Sequence, residues 1–426
     1  MLDARSLAER RDEIAASIRR RGVKADLDGA IALHERAAAK QHELNETNRR
    51  RNEHQERGKR KLDPQEREAH AAEGRALKEA VARVEAESLA LRAKLDAKLR
   101  ELPNFLHAAV PDGGEDDAKE LRRFGDATRF AFPPKDHLAL GAELALFDFD
   151  GGAKVAGQKF YFLKNEAVLL ELALQRYALD LLLAEGFTPY VTPDLARAEI
   201  FEGIGFNPRG EGTQIYSVAD TDLCLVGTAE ITLGGLYADS ILEEEQLPVL
   251  MAGISHCFRT EAGAAGRESK GLYRVHQFTK VEMFAITRPE DSEAMHERLL
   301  AIEERIYQGL ELPYRVVDIA AGDLGAPAFR KFDVEAWMPG RGEHGSWGEI
   351  SSTSNCTDYQ ARRLRVRFRR KATKKNELAH MLNGTAVSNA RLILALVENH
   401  QRADGSVAIP RALQPYVGRE AIVPKR

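Results

Sequence analysis

The chain has 426 residues, 43% of them hydrophobic, and a formal net charge of -4, enough apolar content for two or three domains and no global basic field, so contact with nucleic acid would need local patches. Its three cysteines, Cys224, Cys257 and Cys356, form no CxxC pair, which argues against a disulfide framework or a zinc knuckle; free thiols in a reducing compartment and no zinc are expected. No apolar run nears membrane-spanning length and the opening MLDARSLAERRDEI has no apolar leader core, so a cytoplasmic protein with no membrane attachment is expected.

From Asp26 to about Arg57, and again from Pro64 to Leu102, Gly and Pro are scarce and Ala, Glu, Arg, Lys and Leu recur with helical period, predicting two long helices. In the second, Leu77, Val81, Val84, Leu91, Leu95 and Leu102 form a packing seam, with Ser88 as its polar interruption. The first carries Leu27, Ile31 and Ala38 on the same spacing, then turns polar at Gln41, Asn45, Asn48 and Asn52. Gly58 to Pro64 supplies a helix stop, a turn and a new start, so the helices fold back as an antiparallel hairpin that projects roughly 50 Å at the α-helical rise. Around its tip Arg49, Arg50, Arg51, Arg57, Lys59, Arg60 and Lys61 outnumber Glu53 and Glu56; this reads either as a solvated face or as a contact for a phosphate backbone.

Pro103 to Pro134 opens turn-rich and acidic and breaks the helical composition, placing a domain boundary that divides the chain into 1–105 and 106–426. Glu166 to Glu185 reads as a largely apolar helix stopped by Gly186, followed by an extended Phe187 to Pro193. Leu223 to Glu230 is strand-like and closes on Gly-Thr-Ala-Glu, which suits either a helix N-cap or a loop that holds a polar ligand. Val249 to Phe258 and Leu272 to Ile286 read as two strands joined by a glycine-rich charged loop. Alternation puts Arg274, His276, Phe278, Lys280 and Glu282 on one side and Val275, Gln277, Thr279, Val281 and Met283 on the other. The first face is either a solvated sheet surface or a site offering cations for phosphate, a ring for a base and a carboxylate for an amine or hydroxyl. Asp333 to Trp337 and Trp347 to Asn355 add strands, and Leu382 to Arg391 runs into the helical LILALVENHQ.

Phe258-Arg259-Thr260-Glu261, the loop, and Val275 through Glu282 resemble motif 2 of class II aminoacyl-tRNA synthetases, in the version found in the seryl-tRNA synthetase family, bacterial type. The helix and proline-bearing strand around Gly186 resemble motif 1, Thr228-Ala229-Glu230 is similar to the family's amino-acid loop, and Leu382 to Arg391 resembles motif 3. Each motif is modest alone; the ordered set covers nearly the whole chain and is specific.

The resemblance implies an α+β fold: an antiparallel sheet flanked by helices, an N-terminal antiparallel α-helical coiled-coil arm, and pairing as a homodimer. It implies ATP-dependent activation of serine and its transfer to tRNA(Ser), and leaves room for tRNA(Sec) as a second acceptor. ATP contacts are implied for Arg259, Thr260, Glu261, Val275, Phe278, Glu349, Ile350, Ser351, Ser352 and Arg391, with Arg259, Glu349 and Arg391 catalytic. Serine contacts are implied for Thr228, Ala229, Glu230, Glu282 and Thr385, Mg2+ contacts for Glu349 and Ser352, and tRNA contacts for the basic cluster at the arm tip. Residues three apart in a regular strand face opposite ways, so a metal shared by Glu349 and Ser352 requires a bulge or a bridging water. Where many relatives have Gly before the motif 3 arginine, this chain has Ala390, which bears on how closely the backbone approaches a ligand there. Two other readings are a serine-activating paralogue that loads a non-tRNA acceptor and a silent RNA-binding protein. The basic-tipped arm speaks against the first, and the joint presence of Arg259, Glu282, Glu349 and Arg391 against the second.

Overall fold

The computed structural model describes residues 1–60, 63–208, 213–262 and 270–424, and the chain divides into two compact units, Met1–Phe105 and Leu106–Arg426. Most of the glycine-rich loop expected after Glu261 lies outside the described residues.

In the first unit, α1 (Arg11–Arg20) precedes two long helices, α2 (Leu27–Arg57) and α3 (Pro64–Glu101). Their starts are written in side chains. Asp26 accepts from the Gly29 amide, and Asp63 and Glu66 form a reciprocal capping box with Pro64 in the first turn. On α3 the buried line runs Leu77, Val81, Val84, Ser88, Leu95 and Leu99, with Leu91 half-buried. On α2 it runs Leu27, Ala30 and Ala37, whereas the predicted Ala38 is exposed and Ile31 only half-buried. The buried stripe is therefore offset by one residue from the predicted one. Leu2, Leu7 and Ile14 join these residues in the core at the base of the hairpin. Farther out, polar contacts interrupt the apolar line. The Ser88 hydroxyl donates to Gln41 Oε1 at 3.4 Å, where Arg92 also donates. The His54 and His70 rings stack with centroids 3.7 Å apart. A Cβ on Gly58 would stand 2.4 Å from His70 Nε2, so a side chain there would displace the stacked ring.

In the second unit, eight strands form one sheet: β1 (Lys119–Phe124), β2 (Thr188–Val191), β3 (Val249–Phe258), β4 (Gln277–Thr287), β5 (Tyr314–Asp318), β6 (Arg330–Met338), β7 (Ser346–Asn355) and β8 (His380–Ser388). Their order is β1-β5-β6-β7-β8-β4-β3-β2, and all neighbours are antiparallel except β2 with β3. The helices α4 (Glu166–Ala184), α5 (Ala229–Leu236), α6 (Ser292–Gly309) and α7 (Asn389–Asn399) flank it. Strand alternation builds two cores. Val281, Met283 and Ala285 of β4 pack with α4, α6 and α7, while Phe284 and Ile286 pack with α5 in a second cluster. Lys280 and Glu282 continue the row of Phe284 and Ile286 toward the cavity described below.

Strand β4 begins at Gln277, not at Leu272 as predicted; Gly271–Tyr273 is a turn of 3-10 helix. Pairing with β3 ends at Phe258 opposite Gln277, and the fully buried Leu272 is drawn into the main core. Arg274, Val275 and His276 therefore precede the strand, and the two-sided assignment made for them does not apply.

Two neighbouring strand pairs carry bulges. Val334 lies opposite Ser351 and Glu335 opposite Glu349, which leaves Ile350 as the extra residue of β7. Thr385 lies opposite Glu282 and Val387 opposite Val281, which leaves Ala386 as the extra residue of β8. The first bulge turns Glu349 and Ser352 toward the same face, as a shared metal requires.

Because the two large apolar clusters of the second unit draw only on residues beyond Leu106, replacing residues 31–95 by a short Gly-Ser bridge is expected to leave Leu106–Arg426 folded. A melt that loses its cooperative transition in the shortened protein, followed by near-ultraviolet circular dichroism, contradicts this independence.

Candidate active site

A cavity of about 470 Å³ opens over the middle of the sheet. The start of α5 contributes Thr228 and Glu230; the end of β3 leads into Arg259 and Glu261; β4 presents Phe278, Lys280 and Glu282; β7 presents Glu349 to Ser352; β8 and α7 add Asn383, Thr385 and Arg391. Thr228 is the N-cap of α5, its hydroxyl accepting from the Glu230 amide at 3.2 Å. The helix-cap reading of Thr-Ala-Glu thus holds, and the same geometry fixes Glu230 at the cavity wall.

At one end stand two buried carboxylates. Glu230 Oε1 accepts from Gln360 Nε2 at 2.7 Å and from Asn383 Nδ2 at 2.9 Å. Burial, followed by the nearby Glu282 charge, nevertheless pushes its pKa up to about 7. Glu282 is ion-paired with Lys280, itself buried, and the Thr385 hydroxyl lies 3.4 Å from Glu282 Oε2.

At the other end the balance reverses. Burial pushes Glu349 up, but Arg391, Lys331 and Arg259 outweigh it and bring the carboxyl down to about 2. Glu349 Oε1 is 3.1 Å from Arg391 Nη1, and its side chain keeps 40% of its surface exposed. Arg391 also donates to the Glu349 carbonyl at 3.1 Å and lies 4.8 Å from the Tyr273 ring centroid. Arg259 sits 5.3 Å from the centroid of Phe278. Glu261 accepts from Arg274 at 3.3 Å. Beside this end, Asp333 lies 3.2 Å from Lys331 Nζ, and burial lifts its pKa to about 7.

The structure brings together Thr228, Glu230, Arg259, Glu261, Val275, Phe278, Glu282, Glu349, Ile350, Ser351, Ser352, Thr385 and Arg391 around one space. Thr260 and Ala229 do not line it. The Thr260 hydroxyl donates to the Thr213 carbonyl at 2.8 Å, and Ala229 is fully buried in the cluster behind α5. Lys280, Lys331, Gln360 and Asn383 were not among the expected site residues. Strand alternation had put Lys280 on the same face as Phe278 and Glu282 without assigning it a role of its own, and Asn383 lay inside the motif 3 stretch, two positions from Thr385, where the same alternation could have flagged it. Gln360 reaches Glu230 from a distant helix, and no local pattern marks it.

In the arm, Arg49 pairs with Glu46 and Glu53 at 2.7 Å each, Arg57 with Glu73 at 2.9 Å and Lys59 with Glu56 at 2.6 Å. Arg50 and Arg60 are exposed, while Arg51 is half-buried. Lys61 lies outside the described residues.

Comparison with known proteins joins the two units. Residues 1–106 match the seryl-tRNA synthetase N-terminal domain, and residues 216–400 match the tRNA synthetase class II core domain (G, H, P, S and T). The serine–tRNA ligase of Treponema denticola is 51% identical over 99% of this chain and 100% of its own, and that of Rubrobacter xylanophilus is 53% identical over 100% of both. The chain belongs to the seryl-tRNA synthetase family. A seryl-tRNA synthetase from Pyrococcus horikoshii, solved with ATP, superposes with a TM-score of 0.91 at 39% identity over 100% of both chains. The cytoplasmic serine–tRNA ligase of Naegleria fowleri, solved with AMP, gives 0.86 at 32% identity over 100% of this chain and 99% of that one. The α+β fold and the helical arm are those of this family, and the enzyme is a serine–tRNA ligase. Among the described residues no helix is long and apolar enough to cross a membrane.

The raised Glu230 pKa carries a pH signature. With an ordinary value of 4.5 in the unfolded chain and about 7 in the folded one, the folded protein binds more protons between these limits. The stabilisation is complete below 4.5 and is lost as pH rises through about 7. Glu230→Gln is expected to flatten the fall in denaturation midpoint across that window; an unchanged slope contradicts the assignment.

Proposed function

We propose that the two ends of the cavity divide the substrates of seryl transfer, serine at the Glu230 and Glu282 end and ATP at the Arg259, Phe278, Glu349 and Arg391 end. The observation that carries this reading is the opposite setting of the carboxylates: burial raises Glu230, while arginine and lysine neighbours lower Glu349. A serine ammonium and hydroxyl suit the first end, with Glu282, Glu230, Thr228 and Thr385 in reach of a small polar ligand. A site built to hydrogen-bond a hydroxyl rejects an analogue lacking it. Thr260 and Ala229 lie just outside this set, so any contact from them comes from their backbone.

Serine's carboxylate attacks the α-phosphorus, the bond to pyrophosphate breaks, and seryl-adenylate forms. The terminal adenosine hydroxyl of tRNA then attacks the seryl carbonyl, and AMP leaves. Neither step calls for a covalent protein nucleophile. Arg259 is placed for the α-phosphate, where its contact strengthens as the phosphorus becomes five-coordinate. Arg391 faces the outer phosphates, Phe278 offers its ring to adenine, and Glu261 and the backbone at Val275 face the base edge. The ribose and phosphates run along Ile350 and Ser351. Glu349 and Ser352 offer one carboxylate and one hydroxyl on a common face, hard oxygen donors that would hold Mg2+. The ion would supply charge neutralisation on those phosphates.

The arm would meet tRNA through Arg49, Arg50, Arg57, Lys59 and Arg60, with Lys61 part of the same basic run. Phosphate contacts suit a double-stranded stem and carry no base readout, which also leaves tRNA(Sec) open as an acceptor. Arg51 is half-buried and contributes less. A homodimer is supported by an apolar face on α4 and β2, where Leu172 is 58% and Val191 84% exposed. A cytoplasmic setting agrees with three buried cysteines that form no disulfide.

Pyrophosphate exchange tests the division. Glu282→Gln is expected to raise the KM for serine at least about tenfold with little change for ATP, whereas Arg259→Ala lowers kcat by about a hundredfold or more. Equal losses for both substrates in Glu282→Gln, or near-normal exchange by Arg259→Ala, contradict it.

A further inference from the structure

Helix α6 runs beneath the cavity floor in the main apolar core, yet it places polar groups where hydrocarbon would pack. Glu303 and Tyr307 are fully buried and His296 is 3% exposed. All three are aimed at the underside of the sheet. His296 Nε2 is 3.0 Å from the Thr353 carbonyl. The Ser351 hydroxyl donates to Glu303 Oε2 at 2.9 Å. The Tyr307 hydroxyl donates to the carbonyls of Thr385 and Ala386, at 3.2 and 3.1 Å. Steps of seven and four residues keep the three on one stripe of the helix. Glu303 Oε1 has no partner among the described residues, and a Cβ on Gly384 would stand 2.9 Å from it. The bare glycine thus leaves room for this carboxyl under the strand.

The Glu303 and Tyr307 contacts fall on the two bulges. Ser351 follows the extra residue Ile350 of β7, and Thr385 and Ala386 form the irregular step of β8. An extra residue drops out of the strand ladder, so its conformation needs an anchor from outside the sheet. We infer that Glu303 and Tyr307 are positioning residues that fix the two bulges from below, Glu303 setting the face shared by Glu349 and Ser352, and Tyr307 setting Thr385. Neither touches the cavity itself: both act through the strand above. Burial holds the Glu303 carboxyl well above the usual carboxylate range. The Ser351 hydroxyl also adjoins Tyr307, so the two anchors form one network.

The inference rests on the substrate assignment proposed above, and pyrophosphate exchange with separate titrations of serine and Mg-ATP can tell the two apart. Tyr307→Phe keeps the ring and removes only the hydroxyl; the KM for serine is expected to rise about tenfold, with that for Mg-ATP moving less than about twofold. Glu303→Leu is expected to show the converse, and Glu303→Gln, which retains size and hydrogen bonding, to return the Mg-ATP value to within about threefold of the parent enzyme. Thr385→Ala and Ser352→Ala are the controls. If these leave the KM of serine and of Mg-ATP unchanged, the substrate assignment falls. If they shift and the helix variants do not, or if each helix variant impairs both substrates equally, the positioning role is overturned. Should Glu303→Leu fail to fold, Tyr307→Phe alone decides, since it deletes one oxygen without changing the shape of the core.

Discussion

Glu230, Glu282 and Glu349 share one partly enclosed space with Arg259, Lys280, Lys331 and Arg391, so acidic and basic side chains are set against one another there. Removing a charge from water is costly unless it is paired or hydrogen-bonded. The compensation is uneven. Glu349 meets three cations and is drawn down to about 2, whereas Glu230 has two neutral amide donors and a like-charged neighbour and rises to about 7. That unevenness gives the cavity a direction, with a firmly ionised end suited to phosphates and their cation and a proton-sensitive end suited to a small zwitterion.

Backbone geometry places these charges. A regular strand offers a site only every second residue. Strand β4 follows that rule, with Phe278, Lys280 and Glu282 on the cavity side and Val281 and Met283 in the core. Strand β7 departs from it at Ile350, and this single extra residue brings Glu349 and Ser352 to one face. Gly253 of β3 lets α5 come close from the other side; a Cβ there would stand 2.9 Å from both Ala229 and Leu233. The cap residue Thr228 and the carboxylate of Glu230 are held in place by that approach.

Much of this was legible in the sequence because local rules govern it. Capping residues and the loss of Gly and Pro marked both arm helices to within a residue or two of their ends, and the run Val249 to Phe258 is a strand from its first residue to its last. Motif order then named most of the cavity. What the sequence could not carry were effects of tertiary pairing. The start of β4 is set by where its partner ends, the α2 stripe by which residues can approach α3, and the role of Gln360 by a contact across 130 positions in sequence. The need for a bulge between Glu349 and Ser352 could be reasoned in advance; its place at Ile350 required the register of β6.

A crystal structure with a non-hydrolysable seryl-adenylate analogue would test the direction of the cavity most directly. The account predicts the adenine against Phe278, the phosphate substitute at Arg259, and the seryl ammonium and hydroxyl among Glu230, Glu282 and Thr385. An analogue bound the other way round, with its base beside Glu282 and its seryl group at Phe278, would contradict it.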